Sequence, residues 1–517
     1  MRRPFVVLVG VLPLLAMAAC GPEPAPVAPV GPRPIASIPA PPASASARAL
    51  AAAPPWNETP DADFRKAAPA AGPKVAFRPP VPRISTLKNG VKVYLLERHD
   101  LPLATVQLTS KVGAGDLGAL PGVAFFTGWM LEQGAGKRDA LQISDDYEAL
   151  GAQHGSSFGW DSGTVYVKVP VAGLDRALEI LADVALRPTF PDGEIDRLRS
   201  RWLAQIQQEK QTPRTMGTNA LAAVLYGRAH PYGHSLSGEA DDAKRVTRKE
   251  LARVHEDAFA ADRVAISVAG DVSPGALLPR LEALFGGMKR STRALAPVPK
   301  AAQVKDPPRL VVVDKPGATQ SQVLVSDVGL PFGTKDREAV WIMSAILGEM
   351  FSSRINLNLR ERNAYTYGAG AGFQLRHGEG PFSAGGAIFG DKTVPAIGEI
   401  FSELNAMRDR DVTADELELA KDNIRLALPA RFETTDSLAG MFATLFVHDL
   451  PPDEYEKRLA RIDAVTIADV RRVAQAYLKP RQMRVIVVGD RSRLAASLET
   501  LRLGPPSVLD AYGNPGK

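Results

Sequence analysis

The chain has 517 residues, 45% hydrophobic and 23% charged, with a formal net charge of +5. That is the balance of a globular protein long enough for two to four domains of roughly 100 to 200 residues each. The small, scattered cationic excess gives no footing for nucleic acid, and a single cysteine excludes disulfide frameworks, Cys-rich zinc sites and Cys-X-X-Cys redox pairs.

In chain order, Arg2-Arg3 come first, then an apolar run from Phe5 to Leu15 and Ala16-Met17-Ala18-Ala19 before Cys20. A charged start, a short apolar stretch and small residues before a break predict a signal peptide over 1–19, and the run is too short to cross a bilayer as a helix. Cys20 follows two alanines as in a bacterial lipobox, which predicts acylation of its thiol. The chain is then expected in the bacterial cell envelope, lipid-anchored at the periplasmic face or the outer membrane. An ordinary signal peptide with an incidental Cys is the plainer alternative. Residues 21–60 hold 12 prolines and 11 alanines. Such a stretch cannot bury enough apolar surface to offset its ordering entropy, so 20–84 reads as an extended tether.

Strands are predicted at 90–96, 104–112 and 164–169, and helices at 123–131, 174–185 and 194–210. A second series follows, with strands at 310–314 and 322–328 and helices at 338–349, 414–428 and 438–447. Both series close alike. Val246-Thr247 opens a helix leading to the strand 264–269 and Gly270-Asp271; Val465-Thr466 opens another leading to 485–488 and Gly489-Asp490, at a constant offset of 219 residues. A period that long is domain duplication rather than a solenoid. The predicted fold class is α+β: two homologous domains related by duplication, each a mostly antiparallel sheet packed with helices, over 85–292 and 309–503. A Pro-rich linker spans 293–308 and a tail 504–517.

The motifs that carry a resemblance are Leu87-Lys88-Asn89-Gly90-Val91, Gly113-Ala114-Gly115, Gly122-Val123-Ala124, His230-Pro231-Tyr232-Gly233, and the run Phe351-Ser352-Ser353-Arg354 through Leu359-Arg360-Glu361 to Tyr365-Thr366-Tyr367-Gly368. Together and in this order, they resemble the pitrilysin/insulinase family of zinc metallopeptidases, the inverzincins, over roughly 84–500. The resemblance implies that the two domains form half of a four-domain clamshell chamber. In the family, an H-x-x-E-H helix holds zinc through two imidazoles on one face, with the Glu as general base and a downstream Glu as third ligand. Here those places fall on Phe125, Gly128, Trp129 and Gln205. None is a good zinc ligand or base, so this chain resembles a member whose metal site has degenerated. The seven histidines, His99, His154, His230, His234, His255, His377 and His448, offer no substitute motif; His255-Glu256 has Phe259 where a second His would stand.

The family's C-terminal domain supplies an Arg and a Tyr that grip the substrate backbone, and Arg360 and Tyr367 match that pair. Ala364 stands where Gly is usual, and Arg354 and Tyr365 remain alternates. The resemblance thus implies the bacterial two-subunit type. This chain would be the non-catalytic, substrate-gripping subunit, with no cofactor of its own, beside a metal-bearing homologous subunit that carries the zinc. Peptides would be the substrate, the membrane would be reached through the lipid anchor, and nucleic acid would not be a partner. A stand-alone peptide-binding or scaffolding lipoprotein with an inactive fold is the alternative. An active metallopeptidase with an atypical site is the minor one.

Overall fold

Runs such as Leu310–Asp314 and Arg484–Gly489 are apolar at almost every position, which alternation on one wet face does not produce. The computed structural model shows why. It describes Gly72 and residues 77–118, 120–301 and 307–516, so the predicted signal peptide, Cys20 and most of the tether lie outside the described residues.

In the first half, six strands lie in the order Arg83–Thr86, Lys92–Glu97, Val264–Gly270, Leu103–Ser110, Gly163–Pro170 and Gln153–Phe158. All neighbours are antiparallel except Lys92–Glu97 beside Val264–Gly270. The second half repeats this order, reversed along the sheet: Ala369–Phe373, Pro381–Phe389, Gln320–Val328, Arg484–Gly489, Leu310–Asp314 and Ser507–Leu509. The closing strand again pairs parallel with the first long strand of its half. Each half is therefore a mainly antiparallel sheet packed with helices, as the sequence predicts. The outer edges differ, because Ser507–Leu509 adds parallel to Leu310–Asp314, whereas Arg83–Thr86 adds antiparallel to Lys92–Glu97.

Both faces of each sheet are covered, and each half supplies one cover for the other. In Arg484–Gly489, Val485 and Val487 point into the core of the second half. Ile486 and Val488 point the other way, onto Met216, Ala220, Leu221 and Val224 of helix Pro213–Tyr226, which belongs to the first half. Reciprocally, Ala265 and Ala269 of Val264–Gly270 meet Leu438, Phe442 and Leu445 of helix Thr435–Val447 from the second half. Strand period 2 with apolar residues at every step thus records a sheet sandwiched between its own helices and one borrowed helix.

The motif His230-Pro231-Tyr232-Gly233 serves this joint, and Gly113-Ala114-Gly115 braces the first half beside it. His230 Nδ1 accepts the Tyr232 N–H at 3.0 Å, so Nε2 carries the proton and donates to the Pro299 carbonyl at 2.9 Å. The Tyr232 hydroxyl accepts the Gly378 N–H at 3.1 Å, and its ring lies under the Arg376 guanidinium, 4.7 Å from the centroid. Gly113-Ala114-Gly115 is laced to the next loop by Ala114 N–H to Gly159 O and Gly115 N–H to Trp160 O, both 2.9 Å.

Candidate functional site

Helix Val123–Met130 begins at Gly122, whose φ of +80° is the left-handed conformation that glycine adopts without strain. A Cβ at Gly122 would lie 2.6 Å from both Ser237 O and Trp202 Cζ2. Trp202, on helix Asp192–Glu209, donates Nε1–H to Ser237 O at 2.9 Å and stacks on Phe126 with ring centroids 4.6 Å apart. The two helices that would carry a metal in the family are therefore side by side.

On the outward face of Val123–Met130, the half-buried Phe125 and Trp129 pack together with centroids 4.9 Å apart. The Arg201 guanidinium covers Trp129 at 5.2 Å, one turn before Gln205. Gln205 donates Nε2–H to Glu209 Oε1 at 2.9 Å, and the other oxygen of Glu209 accepts the Ser237 hydroxyl at 2.8 Å. Gly128 touches strand Gln153–Phe158: a Cβ there would stand 2.9 Å from Ser157 Cα and 3.0 Å from Phe158 N, while Ser156 Oγ donates to the Gly128 carbonyl at 2.7 Å. An aromatic ring, a bare backbone and an amide already engaged are not a zinc donor set, so the residues present do not fit the metal of the family. Among the described residues no group of three or more His, Cys, Asp or Glu side chains is placed to hold a metal ion. His255 is a core residue, with Nε2 at 2.8 Å from the Ala185 carbonyl and burial lowering its pKa.

Gly348 is the counterpart of Gly128 in the second half. A Cβ on it would overlap the backbone nitrogen of Ala371, on the edge strand Ala369–Phe373. Here the helix widens into π turns over Ala345–Glu349. A second π segment, Leu357–Arg362, carries Arg360.

Arg360 and Tyr367 stand on either side of a turn closed by Ala364 N–H to Arg360 O at 3.2 Å and Tyr365 N–H to Leu359 O at 2.8 Å. The Arg360 guanidinium lies over the Phe351 ring at 4.6 Å, and its one ion pair among the described residues is with the adjacent, half-exposed Glu361 at 3.2 Å. Tyr367 is 81% exposed, its ring edge-on to Phe389 at 6.3 Å. Its hydroxyl has no hydrogen-bond partner among the described residues. Phe351 is 66% exposed and Phe389 38%, so the pair sits in an open aromatic patch. The alternates are differently placed. Arg354 is held by both oxygens of Glu416, at 2.6 and 2.8 Å, and Tyr365 packs against the core. Phe389 was not singled out by the sequence, where it reads as one more strand residue.

Ala364 has φ +51°, so the turn keeps the left-handed conformation in which Gly is usual, at the steric cost of a Cβ. Ala364→Gly should therefore raise stability by about 0.5 to 1 kcal/mol, read as a higher urea midpoint; an unchanged or lower midpoint would show the turn to be unstrained.

Comparison with known proteins fits this geometry. The family described as "Insulinase (Peptidase family M16)" matches residues 93–239, and "Peptidase M16 inactive domain" matches 245–424. An uncharacterized zinc protease of Mycobacterium tuberculosis is 24% identical over 423 residues, covering 81% of this chain and 96% of that protein. A probable mitochondrial-processing peptidase subunit beta of Arabidopsis thaliana is 24% identical over 429 residues, covering 79% and 78%. Among solved structures, a peptidase M16 inactive domain from Pseudomonas fluorescens superposes with a TM-score of 0.72 at 25% identity, covering 79% of this chain and 98% of that one. A protease from Helicobacter pylori, at 21% identity and a TM-score of 0.70, covers 79% and 100% and shares the fold.

Proposed function

Since this chain belongs to the insulinase (M16) peptidase family, we propose that it is the non-catalytic, substrate-gripping subunit of a two-chain metallopeptidase acting on peptides in the bacterial cell envelope. One observation carries the reading. The helix at the family's metal position presents Phe125 and Trp129 outward and is pinned to a strand through Gly128, while Arg360 is half-exposed and Tyr367 largely exposed.

In this reading the zinc belongs to a metal-bearing homologous subunit, and supplies an activated water there. This chain contributes binding and polarisation. The Arg360 guanidinium bonds a substrate carbonyl or carboxylate, and the Tyr367 phenol donates to an oxyanion as it develops. The partner is a homologue because one half of a duplicated chamber lacks half of its chemistry; a relative named as a subunit supports that assignment. A lipid on the Cys20 thiol and the Pro/Ala-rich tether behind it hold the complex at the membrane.

Native purification from the membrane fraction tests this. A second M16 chain with an intact metal motif should co-purify, and zinc should follow that chain. The isolated protein should hold far less than one zinc per chain, and a chelator should leave its melting temperature unchanged, because no folding free energy is stored in metal binding. Stoichiometric zinc in the isolated chain would overturn the non-catalytic reading. Recovery of the protein alone, with affinity for peptides, would replace the subunit by a stand-alone peptide-binding lipoprotein.

A further inference from the structure

At one end of the second sheet lies a cavity of about 830 Å³ that neither Arg360 nor Tyr367 lines. That volume is in the range of small-molecule sites, roughly 300 to 1,000 Å³. Its apolar wall is Val224 and Leu225, from the helix lent by the first half, with Leu330 and Phe373 from the second.

Four cations share the lining. Arg309 precedes strand Leu310–Asp314, Arg484 opens the neighbouring strand, and Lys479 and Arg481 lie in the turn that leads into it. Two carboxylates, Asp327 and Glu379, also line the cavity. Among the described residues neither lies within ion-pair distance of any of the four cations. Asp327 is turned to its own strand end, accepting the Val328 N–H at 2.9 Å, and Glu379 accepts the Ala301 N–H at 3.2 Å. The Nε–H groups of Arg309 and Arg484 are both buried and have no hydrogen-bond partner among the described residues. Arg484 spends one Nη1–H on the Gln482 carbonyl. Burial disfavours its cation, Asp327 favours it, and Arg309 beside it adds repulsion. Apart from the bond to Gln482, the Nη–H groups of these two neighbouring guanidinium groups have no hydrogen-bond partner and no carboxylate within ion-pair distance among the described residues, an electrostatic arrangement that an oxyanion in the cavity would complete.

We propose that this cavity is a binding site for a small anionic amphiphile, with a carboxylate or phosphate head between Arg309 and Arg484 and an apolar body against Val224, Leu225, Leu330 and Phe373. Lys479 and Arg481, at the exposed rim, attract the head from solution. The proposal is independent of the peptidase reading, since it uses neither the Arg360 and Tyr367 patch nor the degenerate metal helix.

Calorimetry on the full chain tests it with four probes and one membrane control. Octanoate and octyl phosphate should bind saturably at one site per chain, more weakly as salt rises. Inorganic phosphate, which lacks the body, and octanol, which lacks the charge, should each bind at least about tenfold more weakly. Whichever of octanoate and octyl phosphate binds tighter identifies the head. Arg309→Gln with Arg484→Gln should weaken binding at least about tenfold, because hydrogen bonds to a charged group are lost. Should that variant fail to fold, Lys479→Gln with Arg481→Gln, on exposed side chains, should still weaken binding and flatten its salt dependence. No saturable binding by the wild type, or undiminished binding by the exposed-pair variant, would overturn the site. Binding to phosphatidylglycerol vesicles without binding of the free amphiphiles would also overturn it, in favour of a membrane surface.

Discussion

Alanine at Gly128 should lower the stability of the chain by about 1 to 3 kcal/mol, although helix propensity alone predicts a gain of about 1 kcal/mol from the same change. The sign is decided by what the added methyl meets. At Gly128 it meets backbone, Ser157 Cα at 2.9 Å and Phe158 N at 3.0 Å, and backbone within a sheet does not swing aside as a side-chain tip does. Ser156 Oγ holds the strand to the Gly128 carbonyl at 2.7 Å, so a shift that relieved the clash would cost that hydrogen bond as well. Gly348 should be more sensitive still, since its methyl would overlap the Ala371 nitrogen outright. Urea unfolding of Gly128→Ala and Gly348→Ala checks both, with the larger drop at Gly348. A rise in the midpoint of either variant would mean that the helix does not approach its edge strand so closely. The same contact bears on function: a Glu at 128, as in the family's metal helix, would require this strand to stand further off.

Much of this was legible in the sequence, and the parts that were not share a cause. The constant offset between Val246-Thr247 and Val465-Thr466 fixed the duplication, because the capping residues and the closing strands of both halves obey local rules. Indeed Thr247 and Thr466 both open helices with capping boxes. Local rules also placed Phe125 and Trp129 on one helical face. What they could not tell is which body covers a given face. Val485-Ile486-Val487-Val488 reads as a buried strand, yet nothing in it says that its second face is roofed by a helix some 260 residues earlier, Pro213–Tyr226. Strand Gln153–Phe158 escaped notice because only Phe158 is fully buried and the rest is polar edge. Gly128 in mid-helix points to close packing without saying against what; the answer, Ser157, is a property of the partner strand. Ala364 broke a family habit in sequence, while its backbone kept the habit.

In a complex reconstituted with a metal-bearing homologue, Arg360→Ala and Tyr367→Phe should each lower kcat/KM for peptide cleavage by about 100- to 1000-fold, with assembly intact. That is the effect of losing one preorganised donor to a transition-state charge, about 3 to 4 kcal/mol. The geometry favours a role in substrate contact over one in folding. Among the described residues Arg360 is tied only to Glu361, in an exposed and therefore weak ion pair, and rests on the exposed Phe351 ring. Tyr367 is 81% exposed, and its hydroxyl has no hydrogen-bond partner among the described residues, so removing it takes little from the fold. Arg354 supplies the contrast. Its two bonds to Glu416, at 2.6 and 2.8 Å, join a short helix to helix Ala414–Ala427, so Arg354→Ala should cost stability while the folded fraction still turns over substrate. Wild-type rates from complexes containing the Arg360 and Tyr367 variants would show that the pair is structural. Loss of assembly with either variant would move the pair from the substrate to the subunit interface.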